Sequence, residues 1–205
     1  MDNHSGKRRL WAAGVVVCIF QCSTFAMGYY SFDKSVNLSF GAENTKTMLK
    51  TDIFVPISGK VLDLNLALDI EHTSICDLQI YIKSPAETVA CINSYGIYNF
   101  VPDRKDFYWT IFDAESSVSI DSGSSPFSGL FRPNGPDSLA DFYGQQSYGI
   151  WQIRVYDAFY NNTGTFKGAR LDFYIIPEPA TILLFCLGLP IAFSSRNSHC
   201  ISWRK

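Results

Sequence analysis

The chain has 205 residues, with 17 Lys and Arg against 19 Asp and Glu, only 18 % charged residues and 15 % aromatics. This length suits one domain with short flanking segments rather than two folded domains, and the apolar, aromatic-rich composition excludes a disordered chain. Residues 27–176 hold 17 acids against 11 bases, a net charge of −6, so the middle of the chain offers no electrostatic basis for binding nucleic acid.

Residues 1–26 read as a secretion signal peptide. Lys7, Arg8 and Arg9 form a charged start, and Leu10 to Phe20 is an apolar stretch of eleven residues, too short to span a bilayer comfortably. Thr24 and Ala26 place small side chains at the −3 and −1 positions of a cleavage site, so the mature protein is expected to begin near Met27. A retained membrane anchor is the alternative. A lipoprotein site at Cys22 fits poorly, because Ile19-Phe20-Gln21 lacks the small residues such a site wants.

The next 150 residues alternate. Leu62, Leu64, Leu66, Leu68 and Ile70 fall on one face of a run whose other face carries Asp63, Asn65, Ala67, Asp69 and Glu71. A period of two over that length is a strand with one buried and one wet face. Leu78, Ile80 and Ile82 repeat the pattern, as do Trp151, Ile153 and Val155, and then Leu171, Phe173 and Ile175. Turn residues separate these runs: Ser84-Pro85, Asn134-Gly135-Pro136 and Asn161-Asn162-Thr163-Gly164. No stretch of the middle shows a helical period. Many short strands with Gly, Pro and Asn punctuation predict an all-β fold, an antiparallel sandwich or barrel.

After the last predicted strand, Leu171–Ile176, the chain reads Pro177-Glu178-Pro179, then fourteen apolar residues from Ala180 to Phe193, then a polar end with Arg196, Arg204 and Lys205. Two prolines cannot donate ladder hydrogen bonds, so the tripeptide is expected to be extended and exposed. The apolar stretch predicts a short C-terminal helix, kinked at Pro190. This order of parts, and the string "PEPATILL", resembles the PEP-CTERM sorting signal of Gram-negative bacteria, here over residues 177–205. The basic cluster of such signals usually follows the apolar helix directly, whereas Ser194 to Trp203 intervenes in this chain. The resemblance implies processing at Pro177, Glu178 and Pro179 by an exosortase, temporary holding of the C-terminal segment in the membrane, and a place in the cell envelope, at the cell surface or in an exopolysaccharide matrix.

The middle carries a second resemblance. "LDIEHTSICDLQIYIKSP" (Leu68–Pro85), "PFSGLFRP" (Pro126–Pro133), "SLADFYG" (Ser138–Gly144) and "GIWQIRVYDAFYNNTGTFKGARLDF" (Gly149–Phe173) follow, in order, the motifs of the P domain, also called the Homo B domain. The match covers about residues 50–175. It implies an eight-stranded jelly roll of the kind that stabilises subtilisin-like and kexin-like proteases and that also occurs in other exported proteins. His72 and Thr73 occupy the family's "HT" pair, where they are expected to hydrogen-bond the backbone at a strand end, and Asp77 its "DL" position. A catalytic role for His72 is disfavoured, because no Gly-x-Ser-x-Gly or Gly-Thr-Ser setting for a nucleophile is present.

Asp77, Asp113 and Asp157 fall at strand ends or loop entries, where converging carboxylates would make a Ca²⁺ site; the alternative is that each caps a turn. No CxxC or Cys/His ligand spacing occurs, and the three His are scattered. Cys76, in place of the family's usual glycine, and Cys91 form a candidate disulfide. Two buried thiols are the alternative, because a hairpin turn at Ser84-Pro85 sets residue 76 opposite residues beyond 91. The dense aromatics Tyr95, Tyr98, Phe100, Phe107, Tyr108, Trp109 and Phe112, then Phe142, Tyr143, Tyr148 and Trp151, are either core and loop anchors or a sugar-stacking surface. The expectation is therefore a non-catalytic exported surface or matrix protein. A polysaccharide-binding module and an accessory domain acting in trans on a subtilisin-like protease are the alternatives.

Overall fold

The computed structural model of the chain describes residues 26–40, 46–94, 104–160 and 162–178. The signal segment before Ala26, the aromatics Tyr95, Tyr98 and Phe100, and the tail from Pro179 onward lie outside them. The described residues form nine strands: β1 (Gly28–Phe40), β2 (Thr47–Val55), β3 (Gly59–His72), β4 (Leu78–Lys83), β5 (Val89–Asn93), β6 (Phe107–Phe112), β7 (Leu130–Phe131), β8 (Gly149–Asp157) and β9 (Gly164–Pro177). They lie in two sheets, one ordered β1-β9-β3-β6-β7 and the other β2-β8-β4-β5. Pairing is antiparallel throughout except between β6 and the two-residue β7. The chain crosses from one sheet to the other at nearly every step, which makes this an all-β jelly-roll sandwich. Among the described residues no helix is long and apolar enough to cross a membrane.

The core forms where the alternating faces meet. Leu64, Leu66, Leu68 and Ile70 of β3 and Leu171, Phe173 and Ile175 of β9 are buried against Leu78, Ile80 and Ile82 of β4 and Trp151, Ile153 and Val155 of β8. Trp151 sits at the centre, edge-on to Phe142 at 5.3 Å and Phe173 at 5.1 Å, and its ring N–H donates to the Ser147 carbonyl at 2.9 Å. That bond satisfies the one polar atom that the ring carries into the core.

Leu62 departs from its expected face. It is 38 % exposed, while Val61 is fully buried. The β3–β9 register shifts between Val61 and Asp63. A bulge there inserts a residue and reverses the inside–outside phase of everything before it. A second irregularity, between Leu68 and Ile70 on the β6 side, coincides with a positive φ of 45° at Trp109. It turns Tyr108 and Trp109 outward in succession, while Phe107 and Phe112 on either side stay buried, with ring centroids 5.5 Å apart. Ser84-Pro85 makes the expected β4–β5 turn, closed by Glu87 N–H to the Ser84 carbonyl at 3.0 Å and Ser84 N–H to Thr88 at 2.9 Å.

Candidate functional site

A cluster of buried polar groups lies at the pole of the sandwich where β3 ends, β4 begins, β8 ends and β9 begins. The ring of His72 and the carboxylate of Asp157 are both out of solvent, at 0 % and 1 % exposure, with Nε2 and Oδ2 3.4 Å apart. The other ring nitrogen, Nδ1, lies 2.7 Å from the Ser74 carbonyl oxygen, and the Ser74 N–H lies 3.2 Å from it. Both ring nitrogens are thus engaged, Nδ1 by the backbone of Ser74 and Nε2 by the Asp157 carboxylate, which fixes the ring's orientation. Phe40 closes the site edge-on at 5.3 Å. The His72 N–H donates to Asp106 Oδ1 at 2.8 Å, and Asp157 Oδ1 accepts from the Phe159 N–H at 3.2 Å.

Asp77 extends this cluster. Its carboxylate accepts from the Asn162 side-chain amide, and its backbone carbonyl accepts from the Ala158 N–H at 3.0 Å. Burial is the largest influence on the Asp77 carboxyl and pushes its pKa up, against the hydrogen bonds from Asn162 and Ser74 and the attraction of His72. Thr73 clips the same loop: its hydroxyl donates to Asn162 Oδ1 at 2.9 Å and accepts from the Thr163 N–H at 3.2 Å. Gly164 lets β9 start this close to β3, because a Cβ there would stand 2.1 Å from the Glu71 carbonyl oxygen and 2.7 Å from the His72 ring. The contributions of Asp106, Asn162 and Phe40 carried no sequence signal beyond the turn at Asn161–Gly164.

The three acids singled out as a calcium trio do not share one place. Asp77 and Asp157 flank His72, but Asp113 follows Phe112, which pairs with Leu66 of β3. That is six residues short of His72, about 20 Å along the strand. There Asp113 caps its own turn, accepting the Glu115 N–H at 2.7 Å. Among the described residues no group of three or more His, Cys, Asp or Glu side chains is placed to hold a metal ion.

Cys76 and Cys91 are both free. Tyr81 pairs with Cys91 and Ile80 with Asn93, so Cys76 lies beyond the paired end of β5. Cys91 instead directs its Sγ to the Asn93 carbonyl oxygen at 3.3 Å, and burial pushes both thiols up in pKa. Of the sorting tripeptide, Pro177 is the last residue of β9, paired with Gly59, and Glu178 accepts from Gln146 Nε2 at 2.5 Å. Both are half-buried rather than exposed, and the strand runs one residue further than expected. A proline is tolerated there because the ladder ends with it. Of the aromatics, Phe107, Phe112, Phe142 and Trp151 are core, while Tyr108 and Tyr148 are exposed at 64 % and 55 %.

What these residues build is a jelly-roll sandwich whose buried polar cluster ties four strand ends together. The chain belongs to the proprotein convertase P-domain family, whose model matches residues 61–173. A comparison with curated proteins finds no match. Among solved structures, the chain is similar to the Aeromonas sobria serine protease crystallised in complex with its chaperone. The identity is 17 %, over 74 % of this chain and 28 % of that one, with a TM-score of 0.42. For the Aeromonas sobria serine protease alone the identity is 15 %, over 72 % and 27 %, with a TM-score of 0.40. The chain thus spans under a third of the length of either.

Proposed function

We propose that the protein is an exported, non-catalytic P-domain module that works by docking, with a subtilisin-like serine protease as the leading partner. Membership of a family associated with such proteases is the observation that carries this reading. The packing supports it: the sandwich completes its own core, and the polar cluster at His72 is spent on hydrogen bonds that hold strand ends. The test uses the tagged chain as bait on the exported proteins of its host, with and without crosslinking. A subtilisin-like protease should be recovered, and adding the chain should lengthen that protease's half-life at elevated temperature. Recovery of polysaccharide without protease would favour instead the sugar-binding reading, for which the outward-facing Tyr108 and Trp109 speak.

The second half of the proposal is the address. Basic residues, an apolar run and Ala26 at one end, and the PEP-CTERM-like segment 177–205 at the other, support export to the envelope of a Gram-negative bacterium and exosortase processing. Neither Pro177 nor Glu178 belongs to the hydrophobic core of the described residues, and the replacement tested is Pro177, Glu178 and Pro179 to alanine. The domain should therefore stay folded while a C-terminal tag, removed from the parent, is retained in the membrane fraction. Equal loss of the tag from mutant and parent would refute the sorting signal.

A further inference from the structure

Each sheet of the sandwich has two edges, and among the described residues three of the four are blunted. At β1 the register with β9 breaks between Ser35 and Leu38, and Asn37 takes a φ of 54°. At β5 the loop after Asn134 covers the strand, with Gly135 N–H on the Ile92 carbonyl at 2.9 Å, Asp137 N–H on the Cys91 carbonyl at 3.2 Å, and the Cys91 N–H on the Asp137 carboxylate at 2.8 Å. At β7 the strand is two residues long. These are recognised ways of keeping an edge from pairing with another chain. The fourth edge, β2, has none of them. Its nine residues, Thr47 to Val55, run in unbroken register against β8 and carry neither bulge nor proline.

We propose that β2 is a self-pairing edge, which joins antiparallel to β2 of a second copy of this chain about a two-fold axis through Thr51. The side chains of this strand are the argument. Met48, Lys50, Asp52 and Phe54 all stand on the outer face and are exposed. Antiparallel pairing centred on Thr51 sets Lys50 opposite Asp52 of the second copy, twice, and Met48 opposite Phe54, twice. Opposite charges and apolar pairs placed directly across a ladder stabilise it, and like charges there destabilise it. A lone lysine on an edge repels its own copy, whereas a lysine with an aspartate two residues on, centred on the axis, attracts it. Asp52 is already oriented by Gln152 Nε2 at 2.8 Å on Oδ1. Phe54 and Tyr148 stack edge-on at 5.6 Å beside the exposed Ile150, a patch that Met48 of the second copy would cover. The product is one continuous eight-stranded sheet, and the interface is isologous, so it closes at two copies.

The experiment is sedimentation equilibrium of the full chain in a non-ionic detergent, over a wide concentration range. The parent should show a monomer–dimer equilibrium. Lys50→Asp and Asp52→Lys each set two pairs of like charges across the axis, and each should raise the dimer's dissociation constant at least about tenfold. An equimolar mixture of the two variants should recover the dimer, because two acids on one strand then face two lysines on the other. Since a misfolded variant could not recover it, that mixture also controls for folding. A parent that stays monomeric throughout would overturn the proposal. So would a dimer that neither reversal weakens, as association through the apolar termini would give, or two variants that fail to combine.

Discussion

Alanine in place of Asp157 is expected to destabilise the sandwich by about 3 kcal/mol, because two groups that face its carboxylate, the buried His72 Nε2 and the Phe159 N–H, are left without it. His72 has no exposed side-chain surface, so its Nε2 would lose the Asp157 carboxylate without gaining water, and the Phe159 N–H would lose its acceptor. At about 2–4 °C per kcal/mol for a domain of this size, the melting temperature should fall by about 6–12 °C. Asp113→Ala is the matched control, because Asp113 makes only a local cap to Glu115, and it should cost about 1 kcal/mol. Thermal unfolding of the two variants side by side decides the matter. A fall for Asp157→Ala no larger than for Asp113→Ala would mean that the pole does not depend on the Asp157 carboxylate.

Trp151→Ala should be comparably severe, at about 3–5 kcal/mol. The ring is fully buried and contacts Phe142 on one side and Phe173 on the other. Its removal therefore opens a cavity between the two sheets and leaves the Ser147 carbonyl without the indole donor. Ser147 also donates its hydroxyl to the Ile57 carbonyl at 2.6 Å, so the β2–β3 connection should loosen with it. Urea denaturation should show a lower midpoint at unchanged slope. Trp151→Phe, which keeps most of the volume but not the N–H, should fall between the parent and alanine. A midpoint shift for alanine below that of Asp113→Ala would show that the core does not depend on this ring.

The strands were legible because burial on one face writes a period of two into the residues. Leu64 to Ile70, Leu78 to Ile82, Trp151 to Val155 and Leu171 to Ile175 all point inward as the alternation requires. Leu62 was misassigned because a bulge leaves no mark in such a run: Val61 and Leu62 are both apolar, and either phase satisfies the pattern before Asp63. The same limit hid the outward turn of Tyr108 and Trp109. The polar pole was legible only in part. His72, Thr73 and Asp77 were visible through the family motif, but the pairing of His72 with Asp157 spans 85 positions and depends on strand register. Asp113 was grouped with Asp77 and Asp157 because it too ends a strand, and sequence does not tell which end of the sandwich a strand end occupies. Pro177 was expected to stop β9 one residue early, but a missing N–H forbids only the bond it would have donated.

The first and last strands also fix how the domain is held. Gly28 pairs with Ile175 and Pro177 with Gly59, while His72 and Phe40 meet Gly164 at the opposite end. Entry and exit therefore leave the sandwich side by side, and β9, fourteen residues long, carries the chain about 46 Å from one pole to the other. Anything joined to either end hangs from a single attachment point. Tension between the two flanks would open the β1–β9 ladder from that shared end, breaking its hydrogen bonds a pair at a time instead of loading them together in shear. The pole built on His72 and Asp157 faces away from that attachment, as the distal tip of the module.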